Sequence, residues 1–206
     1  MSERIFSQSE LEDLGKRTLD LLDAAIDNGD TDQAKFLAQR MYAEFSAMHD
    51  LYINWVSDLL THIGERHGDE DLYQALEKSV GTFIKALGFF YAGKSLKRRI
   101  QMLAAGLRGH LQPFSVMEDD EKFTITSGMC GSGGRLVQMK AYDAPRNCLR
   151  VSRAQDMTFN RADFPVYCAH CYFQNIIPLG PDLGPLCITE PPEKIGSEPC
   201  LAFVYK

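Results

Sequence analysis

Tyr167-Cys168-Ala169-His170-Cys171 is a C-x-x-C knuckle with a histidine inside it. Two thiols three positions apart can grip one tetrahedral ion from a single tight turn, so the spacing points to a metal site. Two further cysteines stand where they could complete its shell. One is Cys130, in Met129-Cys130-Gly131-Ser132-Gly133-Gly134, and the other is Cys200, near the C-terminus. Cys130, Cys168, Cys171 and Cys200 together would make a closed structural zinc site of the kind that holds a small irregular domain together.

The chain around the knuckle differs from the rest. All nine prolines and all six cysteines fall after residue 112. Proline lacks the N–H that a helix interior needs, so a proline-free stretch with helical periodicity predicts a helical bundle over residues 1–112. Residues 113–206 are expected to form a small, loop-rich, mainly β metal-binding domain, and the whole is α+β.

Four helices are expected in the first part. The first opens with a capping box, Ser7-x-x-Glu10, carries Leu11, Leu14, Leu21, Leu22, Ala25 and Ile26 on one face, and stops at Asn28-Gly29. Asp30-x-x-Gln33 caps a second, in which Leu37, Met41, Phe45, Met48, Tyr52, Trp55, Leu59 and Ile63 recur at steps of three or four. Unbroken, that helix would span roughly 50 Å. A third, from Asp69, turns Leu72, Leu76, Val80, Phe83, Leu87 and Phe90 inward, and Gly88 and Gly93 bracket its end. Ser95 caps a fourth, with Leu96, Ile100, Leu103 and Leu107, before Gly109 and Pro113. Beyond Pro113 the runs Lys122 to Thr126, Arg135 to Lys140, Cys148 to Ser152 and Leu201 to Tyr205 read as strands. The proline-rich Pro178 to Pro199 reads as a covering loop with little regular pairing.

Each constellation has competing chemistry. Cys168 and Cys171 would serve as a redox dithiol only if the knuckle opened a helix, where the dipole lowers a thiol pKa. Pro165 precedes it and no strong helical pattern follows, so metal binding ranks first. Cys130 and Cys200 each stand alone, so Cys148 or Cys187 is a substitute for either. An iron–sulfur cluster is the lesser alternative, because the spacing matches neither common ferredoxin run. The stretch from Cys130 to Arg135 invites comparison with the loop of cysteine-dependent phosphatases. It has four intervening residues instead of five, Met129 where a histidine is usual, and no helical pattern from Arg135. The glycines are better explained as letting the backbone turn around Cys130 with its N–H groups aimed at a thiolate.

His170 is expected to diverge from its flanking cysteines, as a proton-transfer group or a surface histidine. Glu118 to Glu121 form a solvated turn whose carboxylates are weak general-base candidates for Cys130. Asp58 and His62 have the i, i+4 spacing of half a metal site, but with no partners elsewhere a polar helix face explains them better. Lys94, Lys97, Arg98, Arg99 and Arg108 make a basic stretch suited to a carboxylate or phosphate.

With 28 acidic residues against 22 Lys and Arg, and a net charge of -6, broad contact with nucleic acid or an anionic membrane is not expected. The first seven residues lack the plan of a secretory signal, and no apolar run is long enough to span a bilayer, which together suggest a cytoplasmic protein. In a reducing compartment cysteines serve as ligands, reactive thiols or core residues. Two functions follow. One is a cytosolic zinc-binding protein with a non-catalytic sensor or interaction role. The other is a metal-assisted hydrolase or lyase acting on a small anionic molecule between bundle and metal domain, with His170 and Arg135 near the ion.

Overall fold

A computed structural model of the chain describes residues 5–206. The leader-free reading of the N-terminus falls in part on Met1–Arg4, outside the described residues. The architecture is α+β, with long helices followed by short strands and turns. No described helix is long and apolar enough to cross a membrane. The chain separates into two compact units, residues 1–51 and 52–206. This division differs from the composition break at residue 112, which marks where helices give way to strands and turns.

In residues 1–51 the capping box forms: the Ser7 hydroxyl accepts from the Glu10 N–H, and the Glu10 carboxylate accepts from the Ser7 N–H. The expected first helix is two, α1 (Gln8–Leu14) and α2 (Thr18–Asp27), broken where Gly15 caps α1 and Arg17 precedes α2. Arg17 then pairs with Asp20 through two nitrogens. Asp30 caps α3 (Thr31–His67) by accepting from the Gln33 N–H, as expected. Thr18, Ala25 and Leu37 are buried, whereas Met41, Phe45 and Met48 are exposed.

The second unit has the main core. The rest of α3 faces inward through Ile53, Ser57 and Leu60, while Tyr52, Trp55 and Leu59 of the expected inward stripe are at least half exposed. The cause is the smaller face of the helix, against which the 146–149 loop packs. A Cβ on Gly64 would meet Leu149 Cδ2 at 2.3 Å, and the Leu149 N–H donates to Thr61 Oγ1 at 2.9 Å. Arg146 spans Asn54 and Asp58 on the same face, so Asp58 is engaged by a guanidinium.

In α4 (Asp69–Tyr91) the inward face starts as expected with Leu72 and Leu76, then shifts to Gly81, Ile84, Gly88 and Tyr91, leaving Phe83 and Phe90 exposed. Glycine again decides, because a Cβ on Gly88 would lie 1.8 Å from the Leu179 carbonyl oxygen. Helix α5 (Leu96–Gly109) is capped by Ser95, whose hydroxyl accepts from the Arg98 N–H.

Strands β1 (Phe114–Glu118) and β2 (Lys122–Ser127) form a hairpin, β6 (Leu201–Tyr205) pairs antiparallel with β2, and β5 (Ile188–Glu190) completes a sheet of order β1-β2-β6-β5. Strand β5 lies inside the proline-rich segment, which therefore pairs more than its composition suggests. The expected strand over Arg135 to Lys140 is instead helix α6 (Gly133–Gln138), turned so that Leu136 is fully buried. A two-residue pair, β3 (Arg150–Val151) with β4 (Phe164–Pro165), precedes the knuckle. Helix α7 (His170–Ile176) begins within it and buries Phe173 among Leu72, Leu76, Leu136, Met157 and Val166.

Candidate functional site

The register of the sheet brings the two isolated cysteines together. Thr126 pairs with Leu201, so the next residues outward, Ser127 and Cys200, face each other, and the Ser127 N–H donates to the Cys200 carbonyl at 3.0 Å. Three residues past Ser127 the chain reaches Cys130, which lies beside Cys200. The hairpin turn at Glu118 to Glu121 lies at the opposite end of β2, roughly 15–20 Å away at strand rise. Its carboxylates are therefore no base for Cys130. Asp119 instead accepts from the Glu121 and Lys122 N–H groups and closes the turn.

The Cys130 turn is held by the end of α5. Gln112 accepts from the Gly131 N–H at 3.3 Å and hydrogen-bonds Ser127, and His110 Nδ1 lies 3.2 Å from Ser132 Oγ. Only glycine fits at two positions there. A Cβ on Gly131 would meet the His110 carbonyl oxygen at 1.6 Å, and one on Gly133 would meet Cys168 Sγ at 2.3 Å. The second contact seats the knuckle against the Cys130 turn. The Gly-Ser-Gly-Gly run was visible in the sequence, whereas the roles of His110 and Gln112 had no local signal.

The knuckle does open a helix, which corrects the expectation of none. Val166–Ala169 form a 3-10 turn and Cys171 lies in the first turn of α7. Even so, burial raises the Cys168 and Cys171 thiols above their ordinary range, so the redox reading gains nothing from the helix. Helix α6 likewise begins within the Cys130 to Arg135 stretch. The four-residue spacing and Met129 still separate it from the phosphatase pattern.

Cys130 differs in kind. The Cys200 thiol beside it and the Gly134 and Ser132 N–H groups hold its pKa well below the ordinary thiol value despite burial. Cys200 is raised correspondingly.

His170 does not diverge from the cysteines. Its Nδ1–H donates to the Tyr167 carbonyl at 2.5 Å, which leaves Nε2 as an acceptor 3.5 Å from Cys171 Sγ. Burial lowers its pKa and keeps the ring neutral. Arg135 is tied to the turn by its N–H on the Cys130 carbonyl at 3.0 Å. Tyr167 hydrogen-bonds Ser132, and burial pushes its phenol up to about 12.

Of the other two cysteines, Cys187 lies close enough to Cys171 for their charges to interact, whereas Cys148 lies elsewhere. Cys148 is buried beside Asp58, and Cys187 is buried beside Thr189. Cys130, Cys168, Cys171, Cys200 and His170 thus share one neighbourhood in which their charges interact. Among the described residues, no group of three or more His, Cys, Asp or Glu side chains is placed so that it could hold a metal ion. No family model, no curated protein and no solved structure matches the chain.

Proposed function

We propose that this is a zinc-binding protein whose C-terminal part is organised by Cys130, Cys168, Cys171 and Cys200, with a non-catalytic sensor or interaction role. One observation carries the reading: sheet register and glycine packing bring these four cysteines, distant in sequence, into one neighbourhood, with Cys148 outside it. Clustered cysteine ligands favour zinc among the common divalent ions. Four thiolates leave no open position for water, so such a site is structural: it would fasten β6 and the knuckle to the Cys130 turn.

Elemental analysis tests this directly. Protein purified without added metal should carry about one zinc per chain. Under one competing chelator, Cys168→Ser and Cys200→Ser should lose it alike, and Cys148→Ser should keep it. Metal-free protein that is natively folded would refute the proposal.

A metal-assisted hydrolase or lyase is a second reading, supported by the neutral His170 with its Nε2 acceptor beside the thiols. It requires a three-thiolate site with one labile position, near His170 and Arg135. Retention of zinc in Cys200→Ser alone would favour it.

A further inference from the structure

A cavity of about 140 Å³ lies between the end of α4, the first half of α5, the 179–188 segment and β6. Most of its wall is apolar, including Ile100, Leu103, Leu179, Leu186 and Phe203, and no Asp or Glu lines it. Arg99 does line it, yet Arg99 has no ion pair among the described residues, and its Nε is buried without a hydrogen-bond partner. The first turn of α5 contains no acidic residue that could serve. Arg99 is half-buried, a buried Nε–H without a partner is unfavourable, and the planar donors of a guanidinium match a carboxylate edge.

We propose that this cavity binds a small monocarboxylate with an apolar body, its carboxylate on Arg99 and its hydrocarbon part against Leu103, Leu179 and Phe203. The size suits a ring or a short branched chain, since an apolar cavity of about 150 Å³ accommodates benzene. Tyr91, 5% exposed and held neutral by burial, adds a phenol to the same lining as a hydrogen-bond donor. Phosphate fits less well, because a dianion would need more than one cation and would lie against hydrocarbon. Gly184 and Tyr205 are exposed members of the lining, which gives a ligand access. The cavity shares β6 with the cysteine cluster, but none of Cys130, Cys168, Cys171 and Cys200 lines it.

Titration calorimetry of the full chain with benzoate, 4-methylpentanoate, benzamide and inorganic phosphate tests the proposal. At least one of the two acids should bind saturably, at least tenfold more tightly than benzamide or phosphate. Arg99→Gln should weaken that binding about tenfold or more, as expected for a lost charge-assisted hydrogen bond. The same variant should leave zinc content unchanged and fold at least as stably as the parent, because it removes a charge that has no protein partner. Gly184→Leu, at a position where a Cβ meets nothing within 4 Å, should obstruct the cavity and abolish binding independently. Absence of binding by both acids, equal binding of benzamide, tighter binding of phosphate, or an unaffected Arg99→Gln would each overturn the assignment.

Discussion

Gly133→Ala tests the contact that seats the knuckle. The added methyl would lie 2.3 Å from Cys168 Sγ, and Cys168 is only 8% exposed, so its sulfur has little room to withdraw. Against an ordinary contact of about 3.5–4.0 Å, the overlap is roughly 1.5 Å. Relief must come from displacing Cys168 or shifting α6. Overpacking of this kind costs about 1–3 kcal/mol. For a chain of this size that lowers Tm by roughly 2–12 °C. The displaced sulfur should also weaken zinc retention about tenfold or more against a competing chelator. Gly106→Ala is the matched control: Gly106 lies inside α5, and its Cβ would meet nothing within 4 Å. It should stabilise the protein by about 0.5–1 kcal/mol through helix propensity. Thermal melts followed by circular dichroism, with zinc assayed in parallel, give both signs. A Gly133→Ala protein that melts with the parent and keeps its zinc would refute the packing argument.

Phe173→Ala should cost about 3–5 kcal/mol, read by urea denaturation, because the ring is fully buried and meets Tyr73 edge-on at 4.9 Å. Asp119 has its pKa lowered below the ordinary 3.8 by the Glu121 and Lys122 N–H groups. Its contribution is therefore present above pH 3.8 and lost as pH falls through the lower folded value. The stability gap between parent and Asp119→Asn should close on acidification, followed by pH-dependent denaturation. Chelation should loosen β6 and the knuckle to limited proteolysis while far-ultraviolet circular dichroism keeps most of its helical signal, because α4 and α7 share an apolar core.

Helix starts were legible because their signals are local: Ser7, Asp30 and Ser95 each cap the helix that their spacing announced. Inward faces were less so. Apolar periodicity marks a stripe, but on α3 and α4 the buried side follows Gly64 and Gly88, where another segment approaches the backbone too closely for a side chain. Arg135 to Lys140 misled for a related reason, since a six-residue helix is too short to show its period against a strand. The Leu201–Tyr205 strand was readable. Its register with β2 was not, and that register is what places Cys200 beside Cys130. The knuckle showed in its spacing, whereas the nearness of His170 to Cys171 depended on a helix that the residues after Cys171 did not advertise.

Zinc K-edge X-ray absorption on the full chain tests the central claim most directly. About one zinc per chain with four sulfur neighbours at about 2.3 Å is expected. A shell containing nitrogen or oxygen at about 2.0–2.1 Å, or natively folded protein with no zinc to measure, would contradict it.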